Sequence, residues 1–260
     1  MRSCRRLLIL SAVLAPMLGG GLAARADLPA TVALIKPSIV AVGLYKAMAS
    51  PRFTLRGTGF AVADGSLVVT NAHVLPSPEQ QDPEAQVSVQ VRTRGSELQL
   101  RKVAVLEIDK LHDLALLRLE GAPVPALRLR DSDTVREGES AAFTGFPIGG
   151  VLGFSPVTHR ATISSITPIT LPAATGQQLS DRMIRSLRDG TFNIFQLDGT
   201  AYPGNSGGPL VDAETGEVIG VINMVFVKST KEAVLSQPSG ISYAIPANFI
   251  AQLLQRNKPN

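Results

Sequence analysis

The sequence predicts an all-β protein: two consecutive sets of short strands, closed by one C-terminal α-helix. Three observations carry this reading. Apolar runs rich in Val and Ile recur at short intervals, separated by Gly, Asp, Ser and Pro turns, which suggests a sandwich or barrels and not a parallel α/β sheet. A polar stretch, D-S-D-T-V-R-E-G-E (131–139), separates the runs into two groups. After the last run the apolar residues change to helical spacing.

The elements follow in order. Residues 29–36 read as a short helical entry segment ending at Pro37. S-I-V-A-V-G-L-Y (38–45) is a strand, and G-T-G-F-A-V (57–62) and L-V-V-T (67–70) are strands around a turn at Asp64-Gly65. Residues 87–92 and 97–106 form a hairpin across Arg94-Gly95-Ser96, and 114–119 completes the first set. Pro76 to Pro83 is a polar, Pro-broken loop. The second set comprises 141–146, 161–166, 192–197, 210–211, 218–226 and 240–245. A helix from about Ala247 to Arg256, with Pro246 at its start, carries Phe249, Ile250, Leu253 and Leu254 on one face and is expected to pack on the second set. Between Ile166 and Phe192, Ser180 is a cap for a helix to Arg188 with Leu179, Met183, Ile184 and Leu187 at helical spacing; a plain surface excursion is the alternative.

Residues 1–26 read as a signal peptide. Arg2, Arg5 and Arg6 form a basic start, Leu7 to Leu18 an apolar stretch, and Ala24-Arg25-Ala26 a small-x-small cleavage pattern. The apolar stretch is short for a membrane span of about 20 residues, so no stable membrane insertion is expected after cleavage; an uncleaved anchor is the alternative. A lipoprotein is excluded because the one cysteine, Cys4, precedes the apolar stretch. The formal charge of +4 comes from the leader's four arginines, and without them 21 basic residues balance 21 acidic ones. That balance argues against nucleic acid or anionic lipid as a partner. An exported chain with no cysteine after the leader must draw its stability from its core.

Three strings carry the chemistry: T-N-A-H-V (70–74), H-D-L-A-L-L-R-L (112–119) and P-G-N-S-G-G-P-L (203–210). Ser206 is the candidate nucleophile, and its hydroxyl needs a base to take its proton as it attacks. His73 is the candidate base, and Asp113 the group that orients the imidazole and stabilises its protonated form. Gly204, Gly207 and Gly208 let the chain turn sharply around the serine. The oxyanion hole is expected in the segment Gly204, Asn205, Ser206, with the Gly204 and Ser206 amides as donors; each such donor contributes about 3–4 kcal/mol to the transition state. His112 is expected on the opposite face of its strand, structural or exposed, and His159 has no catalytic role. The three histidines have no spaced carboxylate or thiol partners, so no metal and no cofactor is expected.

The order His73, Asp113, Ser206 differs from the orders used on α/β-hydrolase and subtilisin folds. With these strings the chain resembles trypsin-like serine proteases of the chymotrypsin fold, closest to the bacterial Htr/Deg-type protease domain. Residues 135–149 resemble that family's stretch ending in G-N-P-F-G, and G-E-V-I-G-V-I-N (216–223) and Y-A-I-P (243–246) resemble strands lining its specificity pocket. The resemblance implies two six-stranded antiparallel β-barrels, residues 27–130 and 131–260, the second with the terminal helix. It implies an exported endopeptidase, periplasmic or secreted, acting on polypeptides through an acyl-enzyme on Ser206. Thr200, Ile222, Asn223 and Met224 are then the expected substrate-pocket residues, with small or medium apolar side chains preferred. His159 falls where the family has a loop leading into a strand, and residues 167–191 where it has a regulatory loop, here longer.

Two departures separate the chain from the digestive branch. Asn205 replaces the aspartate that pairs with a freshly cut N-terminus, and Thr200 stands where trypsins carry an acid. The sequence stops shortly after its last helix, so the PDZ domain common in Htr/Deg proteases is not expected. Two other classes stay open: a latent protease-fold binding protein, whose oxyanion-hole amides would turn away from the pocket, and an acyl hydrolase using the same triad, which would prefer an ester to the matching anilide.

Overall fold

The computed structural model describes residues 27–80, 82–92, 97–147, 154–169, 192–223 and 240–258. A helix α1 (Leu28–Ile35) and a 3₁₀ turn (Lys36–Ser38) lead into twelve strands in two closed antiparallel barrels. The first barrel comprises β1 (Ile39–Tyr45), β2 (Phe53–Val62), β3 (Leu67–Asn71), β4 (Gln86–Arg92), β5 (Leu98–Asp109) and β6 (Leu114–Leu119), in the spatial order β1-β2-β3-β6-β5-β4. The second comprises β7 (Ser140–Gly145), β8 (Val157–Pro168), β9 (Asn193–Leu197), β10 (Pro209–Asp212), β11 (Val218–Asn223) and β12 (Ser242–Pro246), in the order β10-β11-β12-β9-β8-β7. This is the all-β, two-barrel architecture expected from the sequence, ended by one helix, α2 (Asn248–Arg256).

Strands β1, β6 and β7 read as nearly continuous apolar runs because both of their faces are buried. In β1, Val40 and Val42 fill the first barrel, while Ile39 and Ala41 face a second cluster between the barrels. In β6, Ala115, Leu117 and Leu119 point inward, and Leu114 and Leu116 join the inter-barrel cluster. In β7, Ala141 and Phe143 enter the second barrel and Ala142 the interface. Period-two alternation thus sorts residues between two apolar environments instead of between core and water.

Residues 127–130 are bonded to both barrels: Leu127 N–H donates to Ala61 O at 2.9 Å, and Arg130 N–H to Val218 O at 2.9 Å. Several boundaries differ from the sequence reading. β2 starts at Phe53 rather than Gly57, because Phe53, Thr54 and Leu55 pair with Tyr45, Leu44 and Gly43. β8 starts at Val157, since β7 supplies partners as far as Gly145, and it therefore contains His159, which was expected in a loop. Pro246 ends β12 instead of beginning the helix.

The terminal helix does more than cover the second barrel. Ile250 and Leu253 are fully buried in the inter-barrel cluster. Phe249 stacks on His112 at 3.8 Å, and Arg256 pairs with Glu107 of β5 at 2.8 Å and with Asp109 at 3.2 Å. The helix therefore bridges both barrels. The expected leader (1–26), the 94–96 hairpin turn and the expected helix at 180–188 lie outside the described residues. No described helix is long and apolar enough to cross a membrane.

Candidate active site

Antiparallel pairing of β3 with β6 brings His73 to Asp113. The ladder runs to Asn71 opposite Leu114, and Ala72 N–H then donates to Asp113 O at 3.0 Å, extending it one step. Asn71 Nδ2 donates to the same carbonyl at 3.0 Å. The chain after β3 folds into a 3₁₀ turn, Ala72–Val74, that carries His73.

Asp113 adopts a left-handed backbone conformation with φ of 52°, one of only two non-glycine residues with positive φ among the described residues. Aspartate tolerates that region better than most residues, and local hydrogen bonds hold it there. Its Oδ1 accepts from the His73 backbone N–H at 2.9 Å, and its Oδ2 lies 2.5 Å from His73 Nδ1. Asn223 Nδ2, from β11 of the other barrel, donates to Oδ2 at 2.7 Å. The carboxylate partner assigns a proton to Nδ1 and leaves Nε2 as the acceptor side of the ring.

The third string forms two consecutive tight turns. Asn205 N–H donates to Tyr202 O at 2.9 Å, and Gly208 N–H to Asn205 O at 2.9 Å. The third residue of each turn has positive φ, Gly204 at 102° and Gly207 at 84°, as a type II turn requires. At Gly207 a Cβ would also fall 2.2 Å from Thr58 O and 2.4 Å from Thr70 Oγ1, so the segment can pack this closely on the first barrel only without a side chain. Ser206, 5% exposed, is the second residue of the second turn. Gly57 marks how near the two barrels come: a Cβ there would meet Val74 Cγ2 at 2.6 Å and Ser206 O at 2.8 Å. The Ser206 carbonyl and the residue after His73 thus flank one glycine.

Among the described residues the Gly204 and Ser206 amides have no backbone acceptor, whereas the Asn205 amide is consumed by the first turn. Asn205 adds no backbone donor of its own to the expected segment: it is fully buried, and among the described residues its side-chain oxygen and nitrogen have no hydrogen-bond partner. The expected pocket residues also divide. Thr200 is half-buried beside Ala201, whose N–H donates to Ser242 Oγ at 2.7 Å. Ile222 belongs to the core of the second barrel, fully buried, because β11 turns it inward with Ile219. Asn223 directs its amide to Asp113, and Met224 lies outside the described residues.

The other two histidines have structural surroundings. His112 Nδ1 lies 2.9 Å from Asp109 Oδ2, with its ring against Phe249 and Phe192. His159 stacks on Phe143 at 4.8 Å; its Nε2 is buried without a partner among the described residues, and burial lowers its pKa. The sequence reading missed Thr58 and the bond from Asn223 to Asp113. The polar Thr58 within the apolar run G-T-G-F-A-V was the available signal for the first.

Comparison with known proteins identifies the family and the fold. Residues 57–221 match the family model described as a trypsin-like peptidase domain. The chain is 33% identical over 200 residues to mitochondrial serine protease HTRA2 of Drosophila willistoni, covering 77% of this chain and 38% of that protein. It is 30% identical over 226 residues to serine protease HTR4 of Bos taurus, covering 85% of this chain and 39% of that one. The chain thus spans about two-fifths of the length of these curated relatives. Among solved structures, the HtrA-type protease AlgW with a tripeptide superposes with a TM-score of 0.62 at 24% identity, covering 88% of this chain and 62% of that one.

Proposed function

Because the chain belongs to the trypsin-like peptidase family, we propose that it is an exported serine endopeptidase cleaving polypeptides through an acyl-enzyme on Ser206. The observation that carries the reading is the 2.5 Å contact between His73 Nδ1 and Asp113 Oδ2. It fixes the imidazole so that Nε2 is free to take a proton.

In the proposed reaction Ser206 Oγ attacks the scissile carbonyl carbon while its proton passes to His73 Nε2. The carbonyl oxygen becomes an oxyanion facing the Gly204 and Ser206 amides, whose hydrogen bonds stabilise it. The tetrahedral adduct collapses as the C–N bond breaks, and His73 returns the proton to the leaving amine. Water, deprotonated by the same nitrogen, then attacks the acyl-enzyme and releases the acid, restoring Ser206. Asp113, held by Asn223 and the His73 backbone, stabilises the imidazolium at each step.

Thr200, with no charge, supports small or medium apolar side chains at the cleavage site over Lys or Arg. The composition of residues 1–26 supports export to the periplasm or exterior. The test uses the secreted protein and its Ser206→Ala variant on casein. Cleavage by wild type alone supports the proposal, and equal or absent cleavage by both refutes it. N-terminal sequencing of the secreted product checks the leader, with Asp27 as the expected first residue.

A further inference from the structure

Thr58 of β2 is fully buried and uses every hydrogen-bonding group it has, two of them on the segment that carries the nucleophile. Its Oγ1 donates to Gly204 O at 2.6 Å and accepts from Phe146 N–H at 3.0 Å. Its backbone N–H donates to Ser206 O at 2.8 Å. Its carbonyl accepts from Thr70 Oγ1 at 2.7 Å, which ties it to β3, two residues before the turn that carries His73.

We propose that Thr58 is the positioning residue of the oxyanion hole, fixing from the first barrel the segment of the second that presents the Gly204 and Ser206 amides. The inference rests on the protease reading above. Its physical basis is the freedom of the turn. A type II turn converts to type I by rotating its central peptide through half a turn, which would reverse the direction of the Gly204 N–H. Gly204 has no side chain to resist that rotation. The adjoining peptide is held at both ends, Gly204 O by the Thr58 hydroxyl and Asn205 N–H by Tyr202 O, so the turn has little room to rotate. Thr58 N–H holds the carbonyl at the other end of the segment. The hydroxyl is also the link to Phe146, the residue after β7, so three separate stretches of chain meet at one oxygen atom.

The test compares wild type with Thr58→Val, which keeps the branched shape and loses the hydroxyl, and with Thr58→Ser, which keeps the hydroxyl. On a peptide anilide, Thr58→Val is expected to lower kcat by about tenfold to a hundredfold, less than outright removal of an oxyanion donor, with KM unchanged. Its affinity for a peptide aldehyde, which mimics the tetrahedral adduct, is expected to fall in parallel with kcat/KM. Thr58→Ser should restore both. A folded Thr58→Val enzyme with wild-type kcat and aldehyde affinity overturns the proposal, as does a loss confined to KM. Thr58→Ala serves as a second hydroxyl-free variant; if neither it nor Thr58→Val folds, the hydroxyl is a folding determinant and the positioning role is overturned. An inert wild type overturns the protease reading itself, and this inference with it.

Discussion

Asn223 and Asp113 come from different barrels and meet at a single oxygen: Asn223 Nδ2 donates to Asp113 Oδ2 at 2.7 Å, and the same oxygen faces His73 Nδ1 at 2.5 Å. The orientation of the imidazole therefore depends on the docking of the second barrel as well as on the β3–β6 ladder.

Removing that donor should affect turnover more than folding. Asn223→Ala is expected to lower kcat about tenfold or more, on the scale of one hydrogen bond to a charged group, with KM within about twofold. Steady-state kinetics on a peptide anilide checks this, and unchanged kcat would leave Asn223 with a packing role.

Asp113→Asn preserves the shape and the tolerance for positive φ but alters the charge and the tautomer it favours. Turnover should drop by about 10⁴, with a thermal midpoint near that of wild type. A midpoint that collapses together with activity would mean that the carboxylate chiefly supports the fold.

Gly207→Ala adds a Cβ 2.2 Å from Thr58 O at a residue with φ of 84°. Backbone strain of about 1–3 kcal/mol comes on top of a contact that cannot be accommodated without separating the barrels. Urea unfolding should show destabilisation of about 3 kcal/mol or more, together with loss of activity.

His159 sets a pH dependence whose sign is fixed by burial, which lowers its native pKa from the ordinary 6.5. The unfolded chain then binds a proton more readily than the native one, so the contribution of His159 to stability is full above about 6.5 and is lost as pH falls toward the lowered native value. His159→Phe should flatten that part of the curve and, by removing an Nε2 that has no partner among the described residues, should cost little at neutral pH. Urea midpoints at pH 7.5 and pH 5 measure both effects.

Strands such as β1, β6 and β7 were legible because they are apolar on both faces, and the three strings because each sits at one end of β3, β6 or β10. What could not be read was which residues meet across the barrel interface. Thr58 and Gly204 are separated by 146 positions and Asn223 and Asp113 by 110, and no local periodicity encodes those pairings. The bridging role of α2 was hidden for the same reason: Phe249 has the spacing of a core residue, but its partner His112 belongs to the first barrel. Ile222 was misassigned because adjacency to a pocket strand does not fix which face of β11 it occupies.

In the proposed reaction His73, held by Asp113, activates Ser206, and mass spectrometry of the intact and digested protein after exposure to a fluorophosphonate probe reads that activation at the serine itself. One adduct per chain is expected, on the peptide containing Ser206, and none in the His73→Ala variant at the same exposure. No adduct on wild type, an adduct on another residue, or equal labelling of the His73→Ala variant would contradict it.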